Sequence, residues 1–294
     1  MGHKLIVWGA VVGMGAVAYL RFPLLQTVKF NLAENLYQTR LARAEVSHGR
    51  AEEELATDME AVLSGEEKEI PEEIEQNLAE EGRVLGAAQT VTGWQQDLGL
   101  PATYREFLGW KQRADETRTT AYRTWQRAVL TWVRMREVVA QFETTRKKVA
   151  QTTASWKEEG VTRENINELR QSLDEMDNLR SQVDKLTEED TLTRQLVAFF
   201  EQAFSDFAKM RQAIEAFEKG EAEKGEGLVG TFVLVKGEAV ANKERLLSDW
   251  VEEKLAPQLT RSRSGYEEQE KVEARLEMMR ETLKGREAAE AGTI

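Results

Sequence analysis

Residues 5–20 form an uninterrupted run of sixteen uncharged, mostly apolar positions between Lys4 and Arg21. A helix rises about 1.5 Å per residue, so this run spans about 24 Å, slightly less than a hydrocarbon core of about 30 Å. Arg21 can extend its charged end to the interface, and Phe22 continues the apolar surface beyond it. The pattern therefore predicts one membrane-spanning anchor at residues 5–22.

Two features of this segment leave alternatives open. Residues 16–18 read Ala-Val-Ala, which satisfies the rule for a signal-peptidase site, but the apolar run continues past that point and favours a retained anchor. Positive charges follow the run at Arg21, Lys29 and Arg40, against Lys4 before it. This asymmetry gives a weak preference for a single-pass membrane protein with a cytoplasmic body.

Gly9 and Gly13 have the GxxxG spacing, which allows two membrane helices to approach closely. We interpret the pair as a candidate contact for membrane helix packing. The alternative is that the two glycines only make the anchor small and flexible.

Beyond the anchor, apolar residues recur at helical spacing over most of the chain. The four prolines lie at positions 23, 71, 101 and 257, and Gly160 ends the longest uninterrupted segment. Within that segment, apolar residues are separated by three, four or seven positions, close to the 3.5-residue period of a coiled coil. Six of them are predicted to form a helix-packing or partner-binding seam: Tyr122, Trp125, Val129, Trp132, Val139 and Phe142. Few large apolar residues lie in 110–121, so the sequence also allows a break near Lys111–Thr119.

Apolar stripes of helical period also mark 25–62, 84–98, 166–186 and 192–217. Thr162 is expected to cap the helix of the third stripe. The first stripe is predicted to consist of Leu25, Val28, Leu32, Leu36, Leu55, Met59 and Val62.

These patterns predict an all-α fold, with an N-terminal single membrane-spanning helix followed by an elongated, coiled-coil-like helical bundle. The expected segments are a transmembrane anchor (or signal peptide) at 1–22, an acidic helical segment with short helices at 23–100, a long-helix antiparallel bundle at 101–219, a glycine-containing connector at 220–237 and C-terminal helices at 238–291.

Composition argues against most catalytic chemistries. The chain has no cysteine and only two histidines, His3 and His48, so cysteine nucleophiles, zinc–thiolate sites and Ser-His-Asp triads lack their parts. Glu45 and His48 match half of a di-iron motif without its second copy, and we interpret them as a surface pair. Residues 225–230 spell GxGxxG, but EKGEAEK rather than a strand precedes them. We therefore expect no catalytic, cofactor-binding or metal-binding residue.

Charge is unevenly distributed along a chain whose net charge is −12. Residues 51–100 hold 2 basic and 14 acidic residues, a sum of −12, whereas 101–150 hold 11 and 5, a sum of +6. Segments of opposite charge can pack on each other or on other copies of the chain. A chain this acidic is a poor candidate for binding nucleic acid, and no small-molecule substrate is indicated.

Together these observations favour a membrane-anchored helical scaffold or interaction protein, non-catalytic, that self-associates or recruits protein partners through its helical seams. Two alternatives remain. One is a secreted helical or pore-forming protein with a cleaved signal peptide. The other is a non-catalytic subunit of a larger membrane enzyme or transport complex.

Overall fold

The computed structural model describes residues 2–64, 72–98, 100, 102–232 and 237–291. Within these ranges, the side chains of 2–25, 102–103, 157–159, 237–242, 284 and 286–291 lie outside the description. The helices are α1 (Gly2–Leu63), α2 (Glu72–Gln96), α3 (Ala102–Glu159), α4 (Arg163–Glu188), α5 (Arg194–Glu218), α6 (Ala222–Val229), α7 (Gly237–Trp250), a π-helical turn (Val251–Leu255) and α8 (Ala256–Ala291). No strand occurs in the described part of the chain, so the predicted all-α class is confirmed.

The chain divides into two compact units, each assembled from separate stretches of sequence. Unit 1 comprises Met1–Leu55, Pro71–Gln126 and Arg261–Ile294. Unit 2 comprises Ala56–Ile70 and Arg127–Thr260. Helices α1, α3 and α8 each contribute residues to both units.

Four helical stretches, from α1, α2, α3 and α8, form the core of unit 1. In one apolar cluster Phe30 packs with Tyr104, Phe107 and Leu276. The ring centroids of Phe30 and Tyr104 lie 4.9 Å apart, edge to face. A second cluster joins α1 to α2 through Tyr37, Leu41, Ala44, Val84, Leu85, Ala88 and Val91.

The buried face of α1 differs from the predicted stripe. Of the predicted stripe, Leu55 and Val62 are buried, whereas Val28, Leu32 and Leu36 are 54%, 64% and 40% exposed. The buried positions follow each other at steps of four and three: Phe30, Glu34, Tyr37, Leu41 and Ala44. A carboxylate and an alanine on this face weaken its apolar signal, while larger aliphatic residues lie on the opposite face.

Unit 2 is built around α3, α4 and α5. The rings of Phe142 on α3 and Phe199 on α5 lie 5.5 Å apart, and those of Trp156 and Phe217 lie 5.0 Å apart, both edge to face. Aromatic pairs in this arrangement stabilise a core beyond the area that they bury. The apolar face of α5 is thus buried inside the unit.

Local chemistry sets the helix ends of unit 2. Gly160 has a positive φ of 77°, which residues with a side chain rarely adopt, and it ends α3 as predicted. Thr162 then caps α4: its side chain accepts a hydrogen bond from the backbone of Asn165, whose side chain accepts one from Thr162 in return. This capping prediction is confirmed. Gly220 and Asp190 also have a positive φ, at 77° and 53°.

Two expectations about helix continuity change. Because α3 is one helix, the break considered near Lys111–Thr119 does not occur. Helix α6 occupies part of the segment expected to be a connector at 220–237, while residues 233–236 lie outside the description.

No helix is long and apolar enough to cross a membrane among the residues whose side chains are described. The anchor expected at 5–22, including Gly9 and Gly13, belongs to the first part of α1, where only the helical backbone is described. The structure gives the single-pass anchor no support, and it stays a prediction.

Candidate functional site: buried charges in the helical core

The apolar stripe of α3 continues through charged residues. Steps of four and three connect Tyr104, Leu108, Lys111, Asp115, Arg118, Tyr122, Trp125, Val129, Trp132, Arg136 and Val139. The charged members Lys111, Asp115, Arg118 and Arg136 are all 6% exposed or less. An unpaired charge at such a depth is costly. The groups that pair with these four side chains therefore decide whether the charges serve helix packing or chemistry on a ligand.

In unit 1, the ammonium of Lys111 is surrounded by three different groups. Its Nζ lies 2.5 Å from Oε2 of Glu34 and 2.5 Å from Oε1 of Gln95. It also lies 3.6 Å from the centroid of the Tyr37 ring, in a cation–π contact. A carboxylate, an amide oxygen and an aromatic face therefore replace the water that the ammonium loses on burial.

Glu34 makes more contacts than its pair with Lys111. Its Oε2 also accepts from Gln95 at 3.1 Å, and its Oε1 accepts from Arg280 at 2.7 Å and from Gln38 at 3.2 Å. One carboxylate thus joins α1, α2, α3 and α8 through charge-assisted hydrogen bonds, which are stronger than neutral ones.

Asp115, one helical turn after Lys111, is the centre of a second cluster. Its Oδ1 accepts from the Tyr37 hydroxyl at 2.6 Å and from Arg118 at 3.1 Å, and its Oδ2 accepts from Thr92 at 2.7 Å. Because Tyr37 also places its ring over Lys111, it connects the two clusters. Both carboxylate oxygens of Asp115 are satisfied.

Arg118 extends this cluster to α8. Its Nη1 donates to the Tyr37 hydroxyl at 3.0 Å, and its Nη2 donates to Glu273. Gln269 donates to the same oxygen of Glu273 at 2.9 Å. The charges of the α3 stripe in unit 1 are therefore paired within the unit.

The electrostatics of the first cluster follow from burial and pairing. Burial would raise the pKa of Glu34, but Lys111 and the hydrogen bonds from Lys111 and Gln95 outweigh it and lower the pKa below its usual value. Burial lowers the pKa of Lys111, and Glu34 opposes that shift. Burial also raises the pKa of the Tyr37 hydroxyl, which keeps this group protonated as a donor to Asp115.

His48 is not part of a surface pair, and that interpretation was wrong. Its Nδ1 lies 3.2 Å from Oε1 of Glu81, a residue that is 2% exposed. The His48 ring packs against Tyr266 and Trp125 at centroid distances of 4.4 and 5.0 Å. Tyr266 donates its hydroxyl to the same carboxylate at 2.9 Å, and burial raises its pKa. The spacing to Glu45 was misleading because the true partner comes from another helix.

Unit 2 has its own buried carboxylate, Asp58. Its Oδ2 accepts from the indole N–H of Trp132 at 2.7 Å and from Nε of Arg136 at 3.2 Å. The ring of Trp132 stacks on that of Trp250 at 6.2 Å, and the Trp250 indole donates to the carbonyl of Thr191 at 2.7 Å. The aromatic and charged members of the stripe thus share partners.

The structure places most of the predicted seam inside the chain. Trp125 lies in the core of unit 1, where Tyr122 is half-buried and donates its hydroxyl to the carbonyl of Leu78 at 3.0 Å. In unit 2, the remaining members are 7% exposed or less: Val129, Trp132, Val139 and Phe142. The chain itself therefore covers five of the six predicted seam residues.

The chemistry available to these clusters is limited by their pairing. Among the described residues, no group of three or more His, Asp and Glu side chains is placed to hold a metal ion. Lys111, Asp115 and Arg118 each direct their polar atoms at partners within unit 1 rather than at solvent. The arrangement can bind helices to each other and fix their register.

Sequence reasoning missed Glu34, Lys111, Asp115, Arg118 and Asp58. A signal was present, because Lys111, Asp115 and Arg118 fall on the four-and-three spacing of the apolar stripe of α3. Residues 110–121 hold few large apolar residues, which suggested a break in the helix. In the structure, charged residues occupy core positions there. A polar residue at a core position of a coiled coil often specifies register.

No protein-family model matches the chain, and no curated protein or solved structure is similar enough to match it.

Proposed function

We propose that this chain is a non-catalytic helical scaffold, held at a membrane by residues 5–22, whose body presents surfaces to protein partners or to other copies. The observation that carries the proposal is the internal pairing of the buried charges. Lys111, Asp115 and Arg118 bond to other side chains of unit 1, so their role is in helix association rather than in chemistry on a substrate.

Buried polar groups of this kind support specificity more than stability. Replacing a buried ion pair by apolar side chains is often neutral or stabilising, and a retained pair has its best-attested use in fixing register and partner choice. A scaffold needs one defined arrangement of long helices, because a shift by one turn would move every presented surface. The clusters around Glu34 and Asp115 fit that requirement, since each ties residues of three or more helices together.

The membrane part of the proposal rests on the apolar run of residues 5–20. Its test is alkaline carbonate washing of membranes that contain the full chain. We expect the chain to stay in the membrane pellet, whereas a variant lacking residues 1–22 should be released. Release of the full chain by carbonate would refute the anchor.

The scaffold part is tested by the size of the particle. One chain has a mass of 33.5 kDa, so light scattering after gentle detergent extraction, corrected for bound detergent, gives the number of chains. We expect a mass above that of one chain, from copies or from co-purifying proteins. A strictly monomeric particle without co-purifying proteins would contradict the scaffold proposal.

A further inference from the structure

An uncharged stripe lies on the outer face of α1, opposite the face that packs into the core of unit 1. Its positions follow each other at steps of four and three, which is the core spacing of a coiled coil. A helix turns about 100° per residue, so Leu32 lies about 180° from the buried Leu41, and Val46 about 160° from the buried Phe30. We refer to six residues as the outer stripe: Val28, Leu32, Asn35, Thr39, Ala42 and Val46.

Every member of the outer stripe is exposed and none is charged. The exposed fractions are 64% for Leu32 and 54% for both Val28 and Val46. Charged residues make up 31% of this chain, and exposed helix positions are where they are expected. A helix stripe of this spacing without any charge is typical of a face that packs against another helix.

The two polar members of the outer stripe are compatible with such a contact. The hydroxyl of Thr39 donates to the backbone carbonyl of Asn35 at 2.9 Å, within the same helix. The side-chain amide of Asn35 makes no hydrogen bond to the described residues, and an amide both donates and accepts. Two Asn35 side chains that face each other can therefore bond to each other. One Asn at a core position of a coiled coil specifies its register and its number of chains.

The unbroken course of α1 indicates which helix covers the outer stripe. Because α1 is a single helix from Gly2 to Leu63, residues 28–46 continue the segment that is proposed above to cross the membrane. Two copies inserted with the same orientation hold their α1 helices parallel, with equal residues at equal height above the bilayer. Confinement to one membrane also raises the effective concentration of the copies. The outer stripe of a second copy thus meets this one in register.

Charges beside the outer stripe also favour a second copy. In parallel two-stranded coiled coils, residues that flank the core form ion pairs between the chains. Glu45 and Arg50 occupy such positions, on opposite sides of the stripe. Arg50 is exposed and makes no ion pair with the described residues. Burial and the nearby Glu273 raise the pKa of Glu45, so a cation from a second copy would stabilise its charged form.

We propose that two copies of this chain associate through the outer stripes of their α1 helices, as a parallel, in-register coiled coil over residues 28–46. The proposal rests on the membrane anchor proposed above, which sets the parallel orientation. Since the core of unit 1 packs on the opposite face of α1, unit 1 of each copy points away from the contact. Self-association is thereby assigned to α1, whereas most of the stripe of α3 is buried inside the chain.

The chain has no cysteine, so single thiols report the proximity of two copies directly. Leu32→Cys and Val46→Cys each place one thiol in the outer stripe of the full chain. Met278→Cys is the matched control, because Met278 is 65% exposed, close to the 64% of Leu32, and lies on α8 in the same unit. Each variant is reconstituted into phosphatidylcholine vesicles at low density, oxidised with copper phenanthroline and resolved on a non-reducing gel.

We expect the disulfide-linked dimer to form severalfold faster at positions 32 and 46 than at position 278. In the cysteine-free chain, Leu32→Glu combined with Val46→Glu should reduce the particle mass to that of one chain. Helical circular dichroism should stay unchanged, because both residues are exposed. Met278→Glu should leave the mass as it is in the wild type.

Equal dimer formation at all three positions, with the chain retained after carbonate washing, would overturn this proposal alone. Positions 32 and 46 lie about 21 Å apart along a helix, so an in-register contact does not join them to each other. Faster dimer formation between mixed Leu32→Cys and Val46→Cys chains than between like chains would show an antiparallel contact and would also overturn the proposal. Release of the wild type by carbonate would refute the proposed anchor, and the parallel orientation with it.

Discussion

Removing the negative charge of Glu34 should destabilise unit 1 more than removing the positive charge of Lys111. In Glu34→Gln, the ammonium of Lys111 stays 1% exposed and loses its hydrogen-bonded carboxylate, retaining the Gln95 amide and the Tyr37 ring. In Lys111→Met, Glu34 still accepts hydrogen bonds from Arg280 and Gln95. Leaving one member of a buried pair without its partner costs about 3–5 kcal/mol. We expect that range for Glu34→Gln and about 1–3 kcal/mol for Lys111→Met, because Arg280 still compensates the carboxylate.

The assay is a double-variant cycle measured by urea unfolding of the intact chain in mild detergent, followed by helical circular dichroism. The combined variant should lose less than the sum of the two single losses, with a coupling energy of about 1–3 kcal/mol. Lys148→Met is the control, because Lys148 pairs with Glu175 at a similar 2.7 Å but with 46% and 25% side-chain exposure. Exposed pairs contribute about 1 kcal/mol or less. Additive losses, or a control as costly as Lys111→Met, would refute the reasoning.

The same pair gives an independent check through pH. Since the folded chain lowers the pKa of Glu34 below its usual value, this group contributes stability that is present above the pKa of the unfolded chain, about 4.3. That contribution is lost as the pH falls through the lower folded pKa. The stability difference between the wild type and Glu34→Gln should therefore be constant near neutral pH and shrink below about pH 4.3. A difference that grows on acidification would show that Glu34 is protonated in the fold.

Two further predictions concern packing. Gly82→Ala should destabilise the chain by about 1–3 kcal/mol, because the new Cβ would lie 2.7 Å from Cζ of Tyr122. Gly86 is in the same helix but has open space around it. Gly86→Ala should therefore stabilise the chain by up to about 1 kcal/mol. Equal effects of the two variants in thermal unfolding would contradict the close approach of Tyr122. Trp132→Phe should lower the free energy of unfolding by about 1.5–3 kcal/mol more than Trp125→Phe does. The reason is that Trp132 donates to Asp58, whereas the indole N–H of Trp125 has no partner among the described residues. Similar melting temperatures for the two variants would argue against the hydrogen bond from Trp132 to Asp58.

Local sequence determined the class of the fold and several of its boundaries. The all-α prediction followed from helical periodicity with few prolines, and both are properties of short windows of sequence. Gly160 and Thr162 set a helix end and a helix start through backbone conformation and capping, which involve residues only three or four positions apart. Such signals act within a single turn, so the sequence alone shows them.

The choice of buried face was decided by tertiary structure. On α1 the larger aliphatic residues, Leu32 and Leu36, lie outside, while Glu34 lies in the core, because Glu34 and Lys111 satisfy each other across 77 positions of sequence. His48 likewise found its partner in Glu81 rather than in the nearby Glu45. Glu34 is compensated in the core by Lys111 and Arg280 from two other helices, and that pairing exists only once the chain has folded. Hydrophobic periodicity thus determined that these segments are helices, and only the folded chain determined which of their charged residues lie inside.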